Sequence, residues 1–366
     1  MRAPIVSIHR VSPSGSVELA AANVPYSSLL WTRRLSSPGQ FELSLACPCP
    51  VEWPGRYLVT ADGRDECGVV EKVVGEWDKG ASVTLSGRFA ECLWARYALG
   101  PGGEAARGAT WRQAVTAALS SWHMGDVPPL SMGEGTEAAT GSSYALSGAA
   151  GDLASEVIYG CTAANGSRPL VGYDRDADAD HLSVRLVDGL DRTRSQSDRP
   201  WCVLAVELAS ADSVSYSGDY SPSCSEVVAH AERDRGDDGA VSVTRTVGVP
   251  GFDAAAQWEA RAYEDVTSLV DPDADPTAGS VDAAGALRAY DHMPALAVDC
   301  SVTEAGYRDW WDLGDLVEVE VPELGLVSSE RVEEVRESYD ENGFRLEATV
   351  GTRSISRERR ALMGRR

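Results

Sequence analysis

Near the C-terminus, Leu316 to Val321 reads Leu-Val-Glu-Val-Glu-Val. A period of two places Val317, Val319 and Val321 on one face and the glutamates on the other, which predicts a strand with one buried and one wet face. The stretch that follows, ERVEEVRESYDENGFRLEATV, centres on Asn342-Gly343, the strongest short hairpin signal. With that pair as a two-residue loop, Tyr339 falls opposite Leu346 and Val335 opposite Val350. The apolar residues of both strands then share a face.

The same alternation recurs upstream. In FELSL it puts Phe41, Leu43 and Leu45 together, and GVVEKVV and SVTLSG predict two further short strands. Residues 1–98 therefore read as a small β-barrel or sandwich, closed by a short helix that packs Phe89, Leu93, Trp94 and Tyr97. In 99–150, Thr110 is placed to cap a helix burying Trp111, Val115, Ala118, Leu119 and Trp122, and a Gly/Ser-rich stretch follows that reads as a mobile linker. Residues 151–220 read as an α+β middle domain. Its helix is N-capped by Asp152, carries Leu153, Val157, Ile158 and Cys161 inward, and stops at Asn165-Gly166.

Residues 221–352 form a second β-rich domain. SEVVAHAERD and AVSVTRTVGV flank the turn RGDDG as a hairpin, AAAQWEARAYEDV reads as a helix and DPDADPTAGSVDAAG as a loop. The last stretch, 353–366, carries six arginines and one glutamate. It reads as a solvated basic tail, with docking on an acidic patch of a neighbouring subunit as the sharper alternative and DNA contact third. The expected fold class is α+β, β-rich, in several small domains, two of them barrel-like.

With 366 residues, 43% hydrophobic and 24% charged, the chain suits two to four folded domains, because single cores stop growing at roughly 250–300 residues. A formal net charge of −23 is the opposite of the basic footprint that phosphate binding requires. It is compatible with DNA passing without sticking. The sequence has no run of 18 or more apolar residues and no secretory signal, so no membrane insertion is predicted and folding is expected in the cytosol. Eight cysteines lie scattered without a framework and read as reduced.

Candidate chemistry is thin. Asp174, Asp176, Asp178, Asp180 and His181 crowd one loop, but Ala179 stands where an EF-hand needs glycine and Arg185 where it needs glutamate. Asp271, Asp273 and Asp275 fail similarly, with Pro276 at the glycine place. Cys47 and Cys49 lack partners at zinc spacing, and the histidines at 9, 123, 181, 230 and 292 stand isolated from any nucleophile motif. Among 56 acidic residues, carboxylate pairs arise by chance. No catalytic residue, cofactor or metal is assigned, and the chain is read as no enzyme. Trp31, Arg33 and Arg34, with Arg88 and Arg96, admit a nucleic-acid patch or a subunit contact, and the contact is preferred because Arg and Trp combine large area with directional bonds.

Two blocks in fixed order carry a resemblance. The first has Trp31, Arg33, Arg34, Gly39, Phe41, Glu42, Leu43, then Gly68, Val69, Val70, Glu71, Gly87 and Arg88 before a Leu-bearing helix. The second has Leu313, Gly314, Asp315, Val317, Val332, Glu333, Val335, Asn342, Gly343 and Gly351. Together they resemble the siphovirus tail-hub, or tail-associated, protein family, related to the trimeric baseplate hub of contractile phage tails. The resemblance implies a virion structural protein of a phage or prophage: a homotrimeric adaptor ring at the tail tip, assembled in the bacterial host cytoplasm. Implied partners are the distal tail protein, tail tube, tape-measure protein and tail fibre or receptor-binding proteins, with DNA only in transit. It also implies interface roles for Trp31, Arg33, Arg34, Arg88, Arg96 and Asp315. The rival readings are a host-receptor or carbohydrate-binding tail-tip module, for which Trp310-Trp311 is the candidate, and a tail-associated peptidase.

Overall fold

The computed structural model describes residues 3–351 apart from 46–48, 78–80, 101–103, 123–129, 133–143, 149, 175–180, 237–238, 272–273 and 303–305. Two compact units form, one from 1–214 and 299–351 and the other from 215–298. The chain crosses between them within Ala211–Asp219 and again within Ala295–Val302.

In the first unit the widest sheet is antiparallel and ordered Gly343–Val350, Leu326–Asp340, Tyr26–Arg34, Gln40–Leu45, Ala81–Arg88, Lys72–Trp77. The C-terminal hairpin thus lies against an N-terminal strand, with Val335 opposite Arg33 and Glu337 opposite Trp31. A second sheet runs Val17–Ala21, Val6–Val11, Tyr57–Ala61, Cys67–Val69. The two sheets share one core: Ile8 and Val59 from one meet Leu29, Trp31, Phe41, Leu43 and Leu85 from the other. Trp31 is fully buried, its ring 4.7 Å from Phe89 and 6.1 Å from Phe41. Alternation of apolar residues on half-wet strands is what drives such face-to-face packing.

A second core gathers under two helices, α1 (Trp111–Ser121) and α2 (Ala154–Ala164). Thr110 caps α1 as expected, its hydroxyl accepting from Gln113 N at 3.2 Å, and Ala114, Val115, Ala118, Leu119 and Trp122 are buried. The N-cap of α2 is Leu153 rather than Asp152, whose carbonyl is instead taken by Leu99 N. The helix ends at Asn165-Gly166, with Gly166 at φ +69°. The closing element of the first block is a 3-10 helix, Ala90–Arg96. Short strands, Leu130–Met132 and Tyr144–Gly148, stand within the stretch read as a linker, and most of the rest of that stretch lies outside the described residues.

The hairpin register differs from the expected one. Asp340 pairs with Gly343, so the loop is Glu341-Asn342, Tyr339 faces Phe344 and Glu337 faces Leu346. Asp340 Oδ1 accepts from Asn342 N at 2.7 Å and Gly343 takes φ +102°, which makes glycine the end of the turn rather than its centre. The change moves each partner by two residues. The faces are therefore kept, and Val335, Leu346, Ala348 and Val350 are all buried.

The second unit is a three-stranded sheet, Ala240–Gly248, Glu226–Asp234, Arg261–Asp265, with helix α3 (Ala278–Ala289) on one face. The hairpin around 235–239 forms as read. Two other expectations are corrected. Arg261–Asp265 is a strand where a helix was read, because parallel pairing with Glu226–His230 outweighs the helix propensity of its Ala and Glu. The supposed loop holds α3: Thr277 Oγ1 accepts from Ser280 N, and the small Val281, Ala284 and Gly285 approach the sheet closely enough to bury a helix that composition alone does not support. The chain is β-rich α+β in several sheets, and among the described residues none of them closes into a barrel.

Candidate functional site

At the junction of the N- and C-terminal strands lies a web of buried charge. Arg33 Nε donates to Glu66 Oε1 at 2.7 Å, and Arg168 reaches the same oxygen at 2.8 Å. The Arg33 guanidinium also bridges to both Asp312 oxygens and donates to Tyr307 Oη at 3.1 Å. One strand away, Glu337 is fully buried. It accepts from Tyr307 Oη at 2.6 Å, Arg64 Nε at 2.8 Å, Tyr339 Oη at 3.0 Å and Arg308 at 3.2 Å. Residues from five distant stretches are thereby tied to one another.

Burial alone raises the Glu66 carboxyl, but Arg33, Arg168 and Arg308 outweigh it and hold it well below the usual carboxylate range. Burial likewise opposes the charge on Arg33, and Glu66 and Asp312 restore it. Asp312 is held low by Arg33 against its own burial. Glu66, Asp312 and Arg33 are thus each held in the charged form by the others. The web locks strands. Glu91, with one oxygen on Val171 N at 2.9 Å, is different: burial pushes it up to about 7.

The residues singled out by sequence fall into two groups. Trp31, Arg33 and Asp315 are buried within the chain. Asp315 accepts from Leu190 N at 2.7 Å and Asp312 N at 3.0 Å and is joined by Arg192 at 3.4 Å, pinning the 190–192 segment. Buried groups offer no area to a second subunit. Arg34, Arg88 and Arg96 keep solvent-facing surface. Arg34 pairs with Glu334 at 2.8 Å, while Arg88 and Arg96 share Glu71 at 2.7 and 3.0 Å. Those hydrogen bonds, Arg88 first, bring the Glu71 carboxyl down to about 2. Gly87 beside them admits no side chain, since a Cβ would stand 1.9 Å from Val69 O.

Trp311 is buried against Tyr307, with rings 5.1 Å apart, whereas Trp310 is 55% exposed. The glutamate face of Leu316–Val321 is not wet: Glu318 is buried and accepts from Arg194 N at 2.8 Å, and Glu320 pairs with Arg194 at 2.6 Å. The segment 191–194 covers it, which the local pattern could not reveal. Cys49, Cys67, Cys92, Cys161, Cys202, Cys224 and Cys300 are free thiols, and burial pushes Cys92 and Cys202 up to about 12. Among the described residues no group of three His, Cys, Asp or Glu is placed to hold a metal. Asp176, Asp178, Asp180, Cys47, His123, Asp273 and the tail 353–366 lie outside the described residues. Sequence reasoning missed Glu66, Arg168 and Glu337; of these only Arg168, beside the apolar run of Ser167–Asp174, carried a local signal.

Residues 157–352 match the family of siphovirus ReqiPepy6 Gp37-like proteins. The chain belongs to this family. Solved structures extend the likeness to the whole Gp37-like chain. The 43 kDa tail protein of prophage MuSo2 from Shewanella oneidensis is 14% identical with a TM-score of 0.58, over 94% of this chain and 98% of that one. The tail protein from Neisseria meningitidis MC58 is 15% identical with a TM-score of 0.58, over 97% and 98%. Prophage tail protein gp18 from Listeria monocytogenes EGD-e is 12% identical with a TM-score of 0.54, over 99% and 98%. At such identities the fold is what is shared. No curated protein sequence matches.

Proposed function

We propose that this Gp37-like tail protein is a structural hub of the tail tip, a homotrimeric ring that joins the tail tube to the tip machinery around the path of DNA and tape measure. The observation that carries the reading is a fold shared with prophage tail proteins along nearly the full length of both chains. The distal tail protein, tube and fibre or receptor-binding proteins are its neighbours, in a virion assembled in the host cytoplasm. The two packed sheets of the first unit serve as the hub domain, in the place of a closed barrel. A net charge of −23 suits a bore that a polyanion traverses without adhering. The role is mechanical, without catalysis.

Arg34, Arg88 and Arg96 are the members of the expected interface set with solvent-facing area, and we assign the subunit contact to them. Light scattering on purified protein tests both claims. A mass three times 39.0 kDa is expected for the native chain, falling toward 39.0 kDa when Arg88→Glu and Arg96→Glu are combined. A monomer at every concentration refutes the self-assembling ring; a trimer untouched by the charge reversal refutes the contact. A second reading, a receptor- or carbohydrate-binding module, draws on Trp258, 93% exposed, and Tyr263, 64% exposed, in the second unit. Binding to host-surface polysaccharide that is lost in Trp258→Ala would favour it.

A further inference from the structure

An apolar groove of about 600 Å³ opens at the tip of the C-terminal hairpin. Its walls include Ile5, Val24, Pro25 and Tyr26 on one side and Tyr339 and Glu341 on the other. Tyr26 Oη donates to Pro4 O at 2.9 Å, which holds the N-terminal wall upright, and Ile5 stands 42% exposed inside the groove. An open apolar trough with an acidic rim invites an apolar segment flanked by cations.

The chain carries one such segment. The tail 353–366 has six arginines and one glutamate and so a net charge of +5, which leaves −28 of the total −23 on the remaining residues. Within it Ala361-Leu362-Met363 is bracketed by Arg359 and Arg360 before and by Arg365 and Arg366 after. The reach also fits. Gly351 leaves the far end of the hairpin, whose last strand, Gly343–Val350, spans eight residues, or about 26 Å at roughly 3.3 Å each. The ten residues from Thr352 to Ala361 cover about 33 Å when extended. We propose that the basic tail folds back along its own hairpin and lays Ala361-Leu362-Met363 into this groove, with its arginines against Glu341 and the acidic surface around it. Tethering raises the local concentration of the segment into the millimolar range, so a weak contact suffices.

Trypsin acting on the full chain tests this, because cleavage of a docked segment follows the population of the open form. The rate of cleavage after Arg359 and Arg360 is read by intact mass, comparing the native chain with Leu362→Ser, with Ile5→Lys and with both. The two substitutions lie at opposite ends of the contact, and Ile5 is already partly in solvent, so neither depends on surviving a core disruption. Each single change is expected to speed cleavage at least about fivefold, the double change no more than either alone, and the native rate should not depend on protein concentration. Equal rates in all four chains overturn the proposal and leave the groove to Met1-Arg2 or to another protein. Protection that grows with concentration also overturns it, by moving the tail onto a second copy.

Discussion

Replacing Glu337 with glutamine should be among the most damaging isosteric changes in this chain. The carboxylate is fully buried and accepts from four residues, Arg64, Tyr307, Arg308 and Tyr339. Glutamine keeps one acceptor but turns an amide donor toward guanidiniums and removes the negative charge that Arg64, whose side chain is 7% exposed, shares with Arg308. Breaking a buried pair in this way costs about 3–5 kcal/mol. For a unit of this size that is a fall in Tm of roughly 10 °C. Tryptophan fluorescence during heating or urea titration is the assay, since nine of the ten tryptophans lie in the first unit and only Trp258 in the second. Glu71→Gln supplies the contrast. Its carboxylate pairs with arginines that are 43% and 50% exposed, and its loss should cost no more than about 1 kcal/mol. If Glu337→Gln lies within 1 kcal/mol of the native chain, or no lower than Glu71→Gln, the web does not hold the hairpin and the reasoning fails.

Stability should also fall as pH rises from about 4.5 to about 7. In that window the folded chain keeps on Glu91 a proton that the unfolded chain releases, worth up to about 3 kcal/mol, and Glu333, also pushed up to about 7 by burial, acts in the same direction. Glu91→Gln should flatten the slope of the urea midpoint between pH 5 and pH 8; an unchanged slope would assign it elsewhere. Glu66 works oppositely, since its depressed carboxyl contributes stability above pH 4.5 that drains away as pH falls below that value. At the hairpin turn, Gly343→Val forces a β-branched residue to φ +102° and should cost roughly 1–3 kcal/mol in thermal unfolding, and a neutral result would show that the turn can be rebuilt.

Local pattern determined much of this protein. Alternation over Phe41, Leu43 and Leu45 and over Val317 and Val319 fixed which faces are buried, because a strand's side chains point alternately whatever it packs against. Thr110 set the start of α1, and Asn165-Gly166 the end of α2, because capping is satisfied within a few residues. Where partners come from far along the chain, pattern was silent. Arg261–Asp265 became a strand only because Glu226–His230 lay beside it, and α3 formed only because a sheet accepted its small side chains. The burial of Trp31, Arg33 and Asp315 was hidden for the same reason. A one-dimensional reading shows that a guanidinium or a carboxylate is present, while Glu66 and Asp312 around Arg33 and Leu190 beside Asp315, between 33 and 279 residues from their partners in sequence, decide whether it faces solvent or is enclosed. Burial is a property of the whole packed unit, and it is burial that turned residues suited to a contact surface into an internal clamp.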